Sequence, residues 1–233
     1  MYPVAETIKD AIGWVNQEAP GVLIVEGVGC TGKTTLIEAA AIELGVVGSS
    51  APVQYRRWGH HKEWRWADRD PYKSGTHGSL FVMDYLTQAN WRTGHPPVIL
   101  DRAYPSSWAY NGACGLPQEM EFELADKRME LFVRLLDEID AAARARIVLC
   151  RLPTGATLQY LLERRYEEFP HYKADPRWQA EFLEGIDARF QECFDRWLPN
   201  DSRVLQYQLR LPAETTHPFL GLREDSLDKG GSK

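Results

Sequence analysis

The residues with the plainest chemistry are Gly27-Val28-Gly29-Cys30-Thr31-Gly32-Lys33-Thr34, which meet the spacing GxxxxGK[ST] at every required position. An apolar run, VLIVE over 22–26, precedes them, and a helical pattern over 33–44 follows. Glycines so spaced let successive backbone N–H groups turn inward on phosphate oxygens, and the start of a helix adds a favourable dipole. In this setting Lys33 is expected to reach the β- and γ-phosphates of a nucleoside triphosphate, and the Thr34 hydroxyl to sit on Mg²⁺. Gly27, Gly29, Cys30, Thr31, Gly32 and Thr35 complete the expected cradle. The ligands it implies are ATP and Mg²⁺.

A second chemical pair, Asp101-Arg102, closes the run VIL over 98–100. An acid followed at once by an arginine suits phosphoryl transfer between two bound phosphorylated molecules. The carboxylate can order Mg²⁺ or take a proton, and the guanidinium can hold the acceptor's oxyanion or the group in flight. A strand-end salt bridge would use the same two residues. No NKxD-type motif follows the cradle, which argues against a GTPase, and the acidic strand does not end in the DE or DD of an ATPase motor.

These residues need elements to place them. The pattern predicts a short helix over 4–17, closed off by Pro20-Gly21, and strands over 22–26, 53–58, 98–101, 147–151 and 204–208. Further helices are expected over 33–44, 80–91, 118–140, 157–168 and 178–197. Ala125, Met129, Phe132, Leu136 and Ile139 stripe one of them; Trp178, Phe182, Ile186, Phe190 and Phe194 stripe another. Residues 59–78 have no periodicity and are expected to form a long ordered loop. From 211 to 233 Pro, Gly, Ser and charge dominate, which predicts a disordered tail. Short apolar strands alternating with helices specify an α/β domain over 1–210, a parallel five-stranded sheet with helices on both faces.

Composition sets the bounds. Of 233 residues, 44% are hydrophobic, enough for a sizeable core, and no run approaches the roughly 18 apolar residues of a membrane span. The four cysteines form no CxxC pair, so a zinc site or a disulfide framework is not expected, and a cytoplasmic setting is. A net charge of −6 gives no global attraction to nucleic acid. The segment 56–73 is the local exception: six Lys or Arg against three acids, interleaved with Trp58, Trp64, Trp66 and Tyr72. That mixture suits a nucleotide strand, though tryptophans packing on the domain would look the same. His60 and His61 point apart in an extended chain, so a metal pair there is not expected.

The stretch VILDRAYPSSWAYNG, 98–112, resembles the thymidylate kinases, whose strand ends in Asp-Arg followed by small residues and Ala-Tyr-x-Gly. The opening VEGVGCTGKTT is similar to theirs, LFVMDY over 80–85 aligns with their LFAxDR helix, and LLERRYEE within 157–168 resembles the arginine-bearing lid of the deoxynucleotide kinases. The resemblance covers roughly residues 20–200. It implies the P-loop kinase fold, with 59–78 an acceptor-side insertion and 154–175 the lid region. It also implies roles. Arg102 would grip the acceptor phosphate and Asp101 would lie near Mg²⁺. Phe81 would stack on the acceptor base and Tyr110 would pack near the sugar, with Ser107 and Tyr85 in the same acceptor site. Arg164 and Arg165 would close over the phosphates, and Arg56 or Arg57 would replace an arginine that the family carries at the second strand. A homodimer packed through helices is implied as well; the stripe on 118–140 would serve as that face or as a cover for the sheet.

Two departures fall on the acceptor side. Where thymidylate kinases carry an acid that helps hold the acceptor's 3′-hydroxyl, this chain has Gly29; where they carry a base-reading arginine, it has Tyr85. Losing such hydrogen-bonding groups relaxes discrimination. The expected activity is thus Mg·ATP-dependent phosphorylation of a deoxynucleoside monophosphate, thymidylate or a base-modified relative. The alternatives are a P-loop kinase acting on 5-hydroxymethyluracil within bacteriophage DNA, a deoxynucleoside kinase, and an NTP-sensing protein without transfer.

Overall fold

A run of six residues in which every side chain is buried belongs at the centre of a sheet covered on both faces. Val22–Gly27 is that run, and in the computed structural model, which describes residues 2–45, 55–57, 97–110 and 118–210, it is a central strand. In chain order the elements are β1 (Val4–Ala5), α1 (Ile8–Glu18), β2 (Val22–Gly27), α2 (Lys33–Glu43), β3 (Tyr55–Arg57) and β4 (Val98–Asp101). There follow α3 (Tyr104–Tyr110), α4 (Gln118–Ala143), β5 (Ala145–Arg151), α5 (Gly155–Glu168), α6 (Ala180–Trp197) and β6 (Val204–Gln208). Two 3₁₀ turns, Pro170–Ala174 and Pro176–Trp178, join α5 to α6. The strands lie in the order β1-β6-β5-β2-β4-β3, and every pairing is parallel.

Five of these strands are the expected ones. The sixth corrects the expectation for the N-terminus, where a helix over 4–17 was predicted. Val4 and Ala5 instead pair with Gln206 and Tyr207 at the sheet edge. The helix begins at Ile8 because Thr7 caps it, its hydroxyl oxygen accepting the Asp10 N–H at 3.1 Å.

Side chains alternate between two cores, as the two-residue period of a strand demands. Val22, Ile24, Val98, Leu100, Ile147 and Leu149 pack on one face beneath α3, α4 and α6. Leu23, Val25, Ile99, Val148, Leu205 and Tyr207 pack on the other, beneath α1 and α2. The α4 stripe of Ala125, Met129, Phe132, Leu136 and Ile139 is buried in the first core, so it covers the sheet. The stripe expected over 178–197 needs correction at one end. Trp178 is not in that helix; α6 starts at Ala180 and buries Leu183, Ile186, Phe190, Cys193 and Phe194.

Ion pairs gather at the amino-terminal edge of the sheet. Arg146 bonds Glu18 and Asp140, Arg203 bonds Asp201 and Asp137, and the Tyr2 hydroxyl donates to the carbonyls of Phe194 and Leu198. No helix among the described residues is long and apolar enough to cross a membrane. The expected loop 59–78, the helix 80–91 with Phe81 and Tyr85, and the tail 211–233 lie outside the described residues.

Candidate functional site

The turn after β2 is shaped by its backbone. Gly27 has φ +134°, and a Cβ there would lie 2.2 Å from the carbonyl oxygen of Cys150 on the neighbouring strand, so only glycine fits. Gly32, at φ +76°, caps the N-terminus of α2. Between them Cys30 takes φ 59°, and the buried Thr31 hydroxyl donates to the Val28 carbonyl at 3.1 Å, closing the turn on itself. Thr34 stands exposed on the first turn of α2, and Thr35 follows it, half-buried.

Beside this turn, at the end of β4, lies a cluster of four charges. Lys33 Nζ meets Asp101 Oδ1 at 2.9 Å, with side-chain exposures of 10% and 4%. Register explains the meeting, because Val25 of β2 pairs with Asp101. Arg102 takes φ 78°, donates its N–H to the Val25 carbonyl at 2.9 Å and extends Nη1 to the Ser106 hydroxyl at 3.2 Å. Its guanidinium lies 5.3 Å from the centre of the Tyr110 ring, which in turn packs edge-on against Phe190. Glu26 is fully buried and accepts the Ala103 N–H and the Ser106 hydroxyl. Burial pushes its carboxyl up to about 7, against the opposing pull of Ser106, Arg102, the Ala103 N–H and Lys33. Burial also lowers Lys33, and Arg102 adds to that effect while Asp101 opposes it.

Over the turn sits the connection from α5 to α6. Arg165 pairs with Glu168 at 3.0 Å and lies 4.5 Å above the Phe169 ring. Its charge is felt at Cys30, whose thiol burial pushes up to about 11 while Arg165 pulls it down. Tyr172 and Trp178 stack with centroids 4.2 Å apart, and the Tyr166 hydroxyl donates to the Trp178 carbonyl at 2.7 Å. The outer edge of the Trp178 indole reaches Gly29: a Cβ there would lie 3.0 Å from Cζ3. Arg164, on the same helix, is exposed. Where β5 leads into α5, Arg151 bonds Asp187 of α6 and Gln191, and Asp187 also accepts the Leu152 N–H at 2.9 Å.

The structure thus brings Lys33, Asp101, Arg102 and Tyr110 together beside the 27–34 turn, with Arg165 above it. The backbone of Arg56 and Arg57 lies in β3, with Arg57 in register with Asp101, and that of Ser107 in α3. Sequence reasoning missed Glu26, Ser106 and Trp178. The signal for Glu26 was present: a lone carboxylate ending the run VLIV must find partners once buried.

As a metal site, the described residues hold no group of three or more His, Cys, Asp or Glu side chains. The Thr34 hydroxyl and the Asp101 carboxylate are hard oxygen donors of the kind Mg²⁺ takes alongside phosphate oxygens. No protein-family model matches the chain, and no curated protein matches it in sequence.

Proposed function

We propose that this chain is a P-loop kinase that transfers the γ-phosphoryl group of ATP to a deoxynucleoside monophosphate, thymidylate or a base-modified relative. The observation that carries the reading is the convergence of Lys33, Asp101 and Arg102 beside the 27–34 turn, at the carboxyl ends of two adjacent parallel strands. That edge of an open α/β sheet is where ligands bind. The backbone of the turn and the N-terminus of α2 would hold the donor phosphates, with Lys33 on the terminal ones. Arg102, backed by Tyr110, would hold the acceptor phosphate, and Arg164 and Arg165 would neutralise charge from above. An acceptor phosphate oxygen then forms the new bond to γ-phosphorus as the bond to the β,γ-bridging oxygen breaks, and ADP leaves with that electron pair. Mg²⁺, held by Thr34 and Asp101, would supply charge compensation on the phosphate oxygens. No covalent intermediate is needed, so positioning carries the catalysis.

The test is acceptor-dependent ADP release from Mg·ATP. Deoxynucleoside monophosphates, including thymidylate and hydroxymethyl-dUMP, form one pool, and DNA containing hydroxymethyluracil forms the other. Turnover with the first is expected, and ADP release independent of either pool would sink the reading. One observation favours the DNA acceptor as a second reading. Gly29 offers no polar side chain and abuts Trp178, so no side chain at that position can bond a free 3′-hydroxyl, and an esterified 3′-oxygen needs no such partner. Turnover confined to the DNA pool would select it.

A further inference from the structure

A carboxylate at the centre of a parallel sheet is costly to bury, and a fifth aliphatic residue after VLIV would suit the strand better. Glu26 is nonetheless there, fully buried. Both of its hydrogen-bond donors belong to one short segment, 103–106, which runs from the turn after β4 into the first turn of α3. One carboxylate oxygen accepts the Ala103 N–H and the other accepts the Ser106 hydroxyl. Ser106 in turn accepts from Arg102 Nη1 at 3.2 Å, so a relay runs from the guanidinium through the serine to the acid. The backbone is held the same way. Val25 and Glu26, consecutive on β2, take the N–H groups of Arg102 and Ala103, consecutive on the turn. Arg102 sits there at φ 78°, a left-handed conformation that a side-chain-bearing residue keeps only when its surroundings enforce it. Lys33, by contrast, is bonded to Asp101.

We propose that Glu26 is a positioning residue for Arg102: through Ser106 and the Ala103 N–H it fixes the guanidinium, serving the acceptor half of the site and not the donor half. The proposal rests on the reading of Arg102 as the acceptor-phosphate arginine. It gives the buried acid a task that donor binding would not require of it.

The test uses Glu26→Gln and Ser106→Ala in the full chain, with thermal melting to verify folding. The glutamine can accept the Ala103 N–H, but its amide then meets the serine as a donor, and the hydroxyl proton loses its acceptor. Ser106→Ala breaks the relay without altering the buried acid, and it decides the matter should the first variant fail to fold. Each protein is treated with phenylglyoxal, and modification of Arg102 is quantified by mass spectrometry. Both variants are expected to raise Arg102 modification about fivefold or more over the unmodified sequence. In steady-state assays kcat/KM for the acceptor monophosphate is expected to fall about tenfold to a hundredfold, the scale of a lost hydrogen bond to a charged group. The Kd for Mg·ATP should stay within about threefold. Unchanged Arg102 reactivity in both variants, or equal losses on the donor and acceptor sides, would overturn the proposal. If the unaltered protein turns over no acceptor, the kinase reading fails, and Arg102 reactivity still decides whether Glu26 positions that arginine.

Discussion

The 27–34 turn and the 155–178 segment meet where Trp178 abuts Gly29, and they are built in opposite ways. The turn is made by the backbone: Gly27 pressed on the Cys150 carbonyl, Gly32 at φ +76° and Thr31 bonded to Val28. The segment above it is made by side chains gripping one another: Arg165 on Phe169, Tyr172 on Trp178, Tyr166 on the Trp178 carbonyl. A structure specified by the backbone has one solution, because a wrong residue collides with main-chain atoms that cannot give. A structure specified by side chains can lose one contact and keep the rest. The turn should therefore be brittle and the segment tolerant.

Glycine replacements test this contrast most severely. Gly27→Ala sets a Cβ against the Cys150 carbonyl at a positive φ, and a loss of at least about 3 kcal/mol in urea unfolding is expected, along with donor binding. Gly155→Ala, at φ +56° with open space around it, should cost only about 1 kcal/mol. Equal costs would remove the distinction between the two regions.

Next in size is the pH response of the strand beneath the turn. The Glu26 carboxyl is raised from 4.5 to about 7, mainly by burial. A raised acid contributes its stability below the unfolded value and loses it as pH climbs through the folded one. Between pH 4.5 and 7 the loss should be on the order of 3 kcal/mol at most. Urea unfolding at pH 5 and pH 8 should show a fall in the unaltered chain that Glu26→Gln lacks, and parallel falls would remove Glu26 as the cause.

Smaller again is Trp178→Ala. Removing the stack on Tyr172 and the contact with Gly29 should cost about 1–2 kcal/mol, with the fold intact by circular dichroism. A cooperative loss of α5 would show that the segment is no more tolerant than the turn. Smallest is Gly185→Ala, inside α6 with nothing within 4 Å, which should stabilise by roughly 0.5–1 kcal/mol, measured as a raised Tm.

The same contrast explains what could be read from sequence. Gly27 is legible because a Cβ there would meet the Cys150 carbonyl, Gly32 because its φ of +76° favours glycine, and Lys33 follows from their spacing. Met129, Phe132 and Leu136 are legible because an amphipathic helix repeats them. Trp178 misled because its spacing to Phe182 fits a helix as well as it fits a turn. Asp175 and Pro176 decided otherwise: the aspartate accepts the Arg177 N–H at 3.0 Å and sets a separate 3₁₀ turn. Val4 and Ala5 were too short a strand to show alternation. The partnership of Glu26 with Ser106, 80 residues away, depends on strand order, which local patterns do not encode.

Because every described strand runs the same way, the sheet has two unlike ends. Arg146 with Glu18 and Asp140, and Arg203 with Asp201 and Asp137, fasten the edge remote from the 27–34 turn. Anchored to a bead or a sensor chip through that edge, the protein would present the 27–34 turn outward to solution, with the fastening undisturbed by whatever binds there.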